Sequence, residues 1–223
     1  MFLIMETDYL TIRTNGTHEL EIKKSRFIAD LGRVSTEEEA KAFIAQIIAR
    51  EPKATHHCWA YLLGDHDDVQ RESDNGEPSG TAGVPILTVL QRNHLHNTIA
   101  VVTRYFGGIK LGAGGLIRAY SNATSTGIEA TGVVKRVRQQ ALILTVDYAN
   151  YDRLSPYLTE QNITVLGTDY AAAVTVTIAV DLAAVSATQG AIQNLLSDRL
   201  TSRLGDIDYH EVPVEVNANR HVD

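Results

Sequence analysis

The chain of 223 residues reads as an α+β protein of two domains, and three observations predict that class. Its length and its 44% apolar content suffice for two modest hydrophobic cores. An apolar β-type run, a glycine-rich turn and an amphipathic helix follow one another over residues 101–128. The remainder shows strand and helix patterns in the order β-α-β-β-α-β, the split βαβ of a ferredoxin-like domain. The boundary is placed after residue 135, giving domains 1–135 and 136–223.

Taken in order, Tyr9 to Arg13 alternates apolar and polar residues and predicts a short strand. Asn15-Gly16 signals a turn, and Glu19 to Lys23 alternates again, so the two runs are expected to pair as a hairpin. Phe27-Ile28-Ala29 predicts a third strand, with Lys24 and Arg26 at its mouth as a solvated edge or as part of a phosphate-facing surface. Ser35 and Glu38 form a capping box before a helix that shows Ala40, Phe43, Ile44 and Ile47 on one face and stops at Glu51-Pro52. His57 to Leu63 reads as a buried strand. Neighbouring strand residues face opposite ways, so His56, His57 and Cys58 are not expected to share a metal ion. Gly64 to Gly83 reads as an acidic loop containing Asp65, Asp67, Asp68, Glu72, Asp74 and Glu77. It leads into a helix from Val84 to Arg92, with Pro85 in the first turn, where a missing N–H costs little. Thr98 to Thr103 predicts the strand before the glycine-rich turn, and the following helix is expected from about Leu116, with Leu116, Ala119, Tyr120, Ala123 and Gly127 on one face. In the second half, Ala141 to Val146, Ile163 to Gly167, Val174 to Val180 and Ile207 to Val216 predict strands. Asn150 to Gln161 predicts a helix, with Pro156 near its start or kinking it. Asp181 is expected to cap a long helix reaching about Arg199.

Composition narrows the function classes. The formal charge is −7, which argues against wholesale basic binding of nucleic acid. The first 135 residues carry 14 lysines and arginines against 16 acids, and the remainder 6 against 11. Six of the first domain's acids lie between Asp65 and Glu77, so a polyanion is expected to meet that domain locally. A single cysteine provides no disulfide framework and fits a reducing compartment. No apolar run reaches membrane-spanning length, and the start (Met1 to Met5, with either methionine a possible initiator) is too short for a signal peptide. A cytoplasmic location with no membrane partner is expected.

The stretch around which the first domain is organised runs Arg104-Tyr105-Phe106-Gly107-Gly108-Ile109-Lys110-Leu111-Gly112-Ala113-Gly114-Gly115. Glycines let backbone N–H groups converge, and the start of the following helix adds partial positive charge, so the pattern suits an anion. Arg104, Lys110 and Arg118 supply cations. The spacing is neither that of a P-loop nor GxGxxG. An anion site and a purely structural turn both satisfy it.

Four segments together carry a family resemblance: Lys24 to Ala29, Ala54 to Tyr61, Asp74 to Gly83 and, above all, Thr103 to Gly112. They resemble the IMPACT (YigZ-type) family over most of residues 5–130, and the tail resembles the small C-terminal domain of bacterial members. The chain departs from the family pattern at Val84, where a lysine often precedes Pro85, and at Ala113, where a threonine often sits. The resemblance implies an N-terminal β/α sandwich similar to domain IV of elongation factor G and a C-terminal ferredoxin-like domain similar to its domain V. It also implies a role in regulating translation, and that residues 74–83 and 104–115 share a surface. Some members are labelled proline dipeptidases; the carboxylates and histidines here lack the spacing a two-metal peptidase needs.

The expected function is therefore non-enzymatic binding of RNA, the ribosome or a translation regulatory protein, with no catalytic residue, metal or cofactor and no small-molecule substrate. Arg104, Lys110 and Arg118 would contact phosphates. Gly107, Gly108, Gly112, Gly114 and Gly115 would admit the backbone, and Tyr105 or Phe106 would stack on a base. Asp74, Gly76, Glu77, Ser79, Gly80 and Thr81 would form a second loop of the same surface. The alternative is a nucleotide-binding phosphotransferase or hydrolase, with a nucleoside triphosphate on the glycine loop and magnesium on Asp74 or Glu77.

Overall fold

The computed structural model describes residues 8–64 and 66–214. Asp65, the alternative starts Met1 and Met5, and the expected last-strand residues beyond 214 lie outside them. The chain is α+β, with the elements β1 (Tyr9–Ile12), β2 (Gly16–Ile22), β3 (Ser25–Arg33), α1 (Glu37–Arg50), β4 (His56–Leu63), β5 (Val69–Ser73), α2 (Gly83–Arg92), β6 (Thr98–Tyr105), α3 (Ala113–Thr131), β7 (Val133–Val146), α4 (Tyr148–Glu160), β8 (Thr164–Tyr170), β9 (Val174–Asp181), α5 (Val185–Leu196) and β10 (Thr201–Pro213). Two compact units divide within β7: residues 8–135 and residues 136–211.

In the first unit a five-stranded sheet has the order β2-β3-β6-β4-β5, and each neighbouring pair is antiparallel. The central strands are apolar on both faces because helices cover both. Phe27, Ala29, Leu31, Cys58, Ala60, Leu62, Ala100 and Val102 pack under α2 and α3. The alternate residues Tyr61, Leu63, Ile99 and Val101 pack with Ala40 and Ile47 of α1. The expected helix face of α3 is the buried one, with Leu116, Ala119, Tyr120, Ala123 and Gly127 all inside.

Several local expectations are corrected. β1 does not pair with β2. It neighbours β7 in the sheet order, and Arg13 donates its N–H to the Gly132 carbonyl at 2.8 Å. The hairpin is β2–β3, closed by Lys23 and Lys24 between the paired residues Ile22 and Ser25. Their φ values of 48° and 66° are the positive ones a two-residue type I′ turn requires. The cap of α1 lies one residue later than expected: Thr36 accepts from the N–H of Glu39 at 3.1 Å, and the Glu39 carboxylate accepts from the N–H of Ser35 at 2.6 Å. The acidic loop contains a fifth, edge strand, β5. Its residues Val-Gln-Arg-Glu-Ser are mostly exposed, so no apolar alternation marked it. α3 begins at Ala113, three residues before Leu116, which places Gly114 and Gly115 in its first turn.

The second unit has the sheet order β10-β7-β9-β8, the 4-1-3-2 order of a ferredoxin-like βαββαβ fold. Leu142, Leu144 and Val146 of β7 and Val174, Val176, Ile178 and Val180 of β9 pack against Leu154 and Leu158 of α4 and Ile192 and Leu196 of α5. Pro156 stands well inside α4, so the carbonyl of Asp152 lacks its usual donor. Asp181 does not cap α5. It accepts from the Gln139 amide at 2.8 Å, and a single 3-10 turn, Leu182–Ala184, separates it from that helix. Among the described residues no helix is long and apolar enough to cross a membrane.

Candidate functional site

Four connections gather at one end of the first unit's sheet: the Lys23-Lys24 turn, the approach to β4, the β5–α2 loop and the glycine-rich β6–α3 loop. Strand register sets what lies at their centre. Arg104 stands opposite Phe27 on β3 and opposite His56 on β4. It shares its sheet face with Ala100 and Val102, so its side chain is directed under α3 instead of outward. The residue is 5% exposed. Its Nη1 donates to Glu77 Oε1 at 2.6 Å, Nη2 lies 3.4 Å from Ser25 Oγ, and the Tyr120 hydroxyl donates to the same Glu77 oxygen at 2.8 Å. The Cys58 thiol lies 3.3 Å from the Tyr120 hydroxyl and 2.9 Å from the Asp74 carbonyl oxygen. Burial pushes that thiol up to about 12. Burial, then the neighbouring Cys58 and Glu77, raises the Tyr120 hydroxyl well above the phenol range, so both remain protonated donors.

The β5–α2 loop is built on Asp74. Its Oδ1 accepts from the N–H groups of Ala82 and Gly83, both at 2.9 Å, and its Oδ2 from Gly80 at 2.7 Å. Burial works to raise its pKa, but the backbone N–H groups of Gly80, Gly83, Ala82 and Thr81 outweigh it and hold the carboxyl below its ordinary value. Asp74 therefore serves α2 as the N-terminal cap that Ala82 cannot provide. Gly76 and Gly80 carry φ of 88° and 74°, Thr81 donates to the Pro78 carbonyl at 2.6 Å, and Ser79 is exposed.

This geometry redistributes the roles expected of the sequence. The structure brings the 74–83 and 104–115 loops together through the Glu77–Arg104 pair. Arg104, expected on phosphate, is instead an internal cation. Tyr105 is half-buried, its hydroxyl donating to Glu51 at 2.8 Å and its ring lying 5.2 Å under the Arg26 guanidinium. Gly107 is needed for close approach, since a Cβ there would lie 2.0 Å from the Lys24 carbonyl group. Gly108 and Gly112 have φ of 83° and 69° with open space beyond them. Lys110, Gly112, Gly114 and Arg118 are exposed, with an Arg118 nitrogen near Gly114, 3.7 Å from where its Cβ would stand. Magnesium does not fit Asp74 or Glu77: both Asp74 oxygens and Glu77 Oε1 already receive internal donors. His57 Nε2 lies 3.0 Å from the Glu51 carbonyl, and His56 Nδ1 lies 2.9 Å from that of Asn75.

One feature was missed by sequence reasoning: Lys23 and Lys24 form the turn itself. Of the two aromatics expected to stack, Phe106, 48% exposed, is the one that projects from the rim. A two-residue gap between paired runs would have shown that turn, had β2 been matched to β3. Lys23, Lys24, Lys110 and Arg118 have no ion-pair partner among the described residues.

Comparison with known proteins follows the same division of the chain. Residues 23–128 match the Impact N-terminal domain, and residues 144–199 match a domain of unknown function, DUF1949. The IMPACT family member YvyE of Bacillus subtilis is 51% identical over 152 residues, covering 68% of this chain and 70% of that protein. The Escherichia coli member YigZ is 37% identical over 168 residues, covering 74% and 82%. A crystal structure described as that of a hypothetical protein superposes with a TM-score of 0.57 at 32% identity, covering 88% of this chain and 96% of the other. The motifs at the sheet end, the matched domains and these relatives together show that the chain belongs to the IMPACT family.

Proposed function

We propose that the protein is a non-enzymatic regulator of translation that occupies an RNA surface of the ribosome through the loop end of its first unit. One observation carries this reading: four cations of that end stand free while three of its carboxylates are engaged. Lys23, Lys24, Lys110 and Arg118 face solvent unpaired, while Glu77, Asp74 and Glu51 are engaged internally. A chain of net charge −7 thereby presents a local basic face, and the start of α3 beside Lys110 adds N–H donors with no side-chain cap. The family resemblance supports a connection with translation. The same observation disfavours the nucleotide-enzyme alternative, because its metal-binding carboxylates are those already engaged.

The test is co-sedimentation of the purified protein with ribosomes and with ribosomal RNA across a salt series. Binding should weaken steeply with salt. Lys24→Ala and Lys110→Ala should each lower affinity and reduce the slope of log affinity against log salt by roughly 0.7–0.9. Absence of association, or association indifferent to salt and to both substitutions, would overturn the proposal.

A further inference from the structure

Resting on that reading, we infer that Phe106 is a stacking platform for a base of single-stranded RNA, and that Arg104 is the positioning residue that holds the platform without touching the nucleic acid. The Arg104 guanidinium lies over two rings, 5.4 Å from the Phe27 centroid and 5.6 Å from that of Phe106. Both distances are within cation–π range. Phe27 is fully buried and meets Tyr120 edge-on, with centroids 5.3 Å apart at 89°. A chain of contacts thus leads from the core to the rim: Tyr120, Phe27, the Arg104 guanidinium, then Phe106. The inner face of Phe106 is turned toward the guanidinium, so its 48% exposure belongs to the outer face and the edge. A further planar group would pack on that exposed side of the ring.

The platform is held from several sides. Glu77 and Ser25 anchor the guanidinium. The Phe106 N–H donates to Thr55 Oγ1 at 3.3 Å and the Gly107 N–H to Ser25 Oγ at 3.2 Å. A ring fixed before binding loses little entropy on binding. Tyr105, the other aromatic of the motif, cannot take this part, because Arg26 covers its ring and Glu51 binds its hydroxyl.

The surroundings specify the ligand. Lys24 lies beside the platform, since the backbone of Gly107 packs against its carbonyl, and Lys110 follows four residues after Phe106. A flat hydrophobic group carrying neighbouring anions matches a nucleotide in a single strand. A duplex offers phosphates but keeps its bases stacked on each other.

The test measures anisotropy of a labelled ten-nucleotide oligouridylate, and of an abasic oligomer of the same length, across a salt series. Phe106→Ala should weaken oligouridylate binding about 5- to 150-fold with the salt slope unchanged, and Phe106→Trp should retain it. The abasic oligomer should bind the intact protein as weakly as oligouridylate binds Phe106→Ala. Arg104→Lys, which keeps a cation beside Glu77 and loses the planar group, should also weaken binding without altering the slope. Equal binding of Phe106→Ala and the intact protein, or of the two oligomers, would overturn the platform while leaving phosphate contact by the lysines intact. A lowered slope in Arg104→Lys would make Arg104 a phosphate ligand and overturn its positioning role. No salt-dependent binding of either oligomer to the intact protein, with ribosome association retained, would point to a protein surface as partner and overturn both this inference and the RNA reading.

Discussion

The two units bury very different chemistry. The interior of the ferredoxin-like unit is a run of aliphatic side chains: Leu142, Leu144, Val146, Leu154, Val176, Ile178, Ile192 and Leu196. The loop end of the first unit buries an arginine, a glutamate, a tyrosine, a thiol and a serine in one network. Stability alone does not ask for the second arrangement. Desolvating Arg104 and Glu77 is costly, well-packed apolar residues of similar volume often do as well, and the Arg104 Nε is left buried without a partner. The comparison teaches that the two interiors answer different needs. One packs a module, and the other fixes the conformation of two loops and an exposed ring.

The largest expected effect is that of Glu77→Ala, which would leave Arg104 buried and unpaired. It should cost about 3–5 kcal/mol in urea unfolding followed by fluorescence of Trp59, the chain's single tryptophan and a residue of the first unit. Glu77→Leu combined with Arg104→Met should recover most of that stability and still bind RNA poorly; recovery of both together would erase the distinction between the interiors. In the other unit, Leu144→Ala should cost about 2–5 kcal/mol, read by circular dichroism, with ribosome co-sedimentation unchanged. A loss of association would give that unit a part in binding.

Asp74→Asn should cost about 1–3 kcal/mol near neutral pH. The folded carboxyl of Asp74 is held below its ordinary value, so its contribution is complete above the unfolded value of about 4. It declines as pH falls below that and vanishes below the lowered folded value. The stability difference between Asp74→Asn and the natural chain should therefore close on acidification; a difference constant from pH 7 to pH 2 would contradict the capping role. The smallest effect concerns the basic turn. Lys23→Asn with Lys24→Gly suits two positive-φ positions and should raise stability by about 1–2 kcal/mol while lowering the RNA salt slope. Stabilisation with unchanged binding would remove that turn from the interface.

Much of the fold is legible because its signals are local. The buried face of α3 follows from residues three and four apart, α2 from Pro85 at its start, and the ferredoxin-like order from alternating strand and helix periods. β5 is hidden because an edge strand facing solvent needs no apolar alternation, and the partner of β1 is hidden because pairing across some 120 residues leaves no local mark. The candidate site divides in the same way. The glycines are visible by type, and Gly108 and Gly112 indeed have positive φ. The fate of Arg104 is not visible, since a cation in a glycine-rich motif reads as a surface group and its partner Glu77 lies 27 residues away.

Residue order alone was enough for the family, the α+β class and the placement of a glycine-rich loop between a buried strand and a helix, because these rest on motif identity and on periodicities of two and 3.6 residues. Which cations face outward was decided in three dimensions. Strand register turned Arg104 inward against Glu77, and the antiparallel pairing of β2 with β3 carried Lys24 to the side of Gly107. Both outcomes depend on contacts between segments distant in sequence, where burial and close packing outweigh any preference a residue shows in its own neighbourhood.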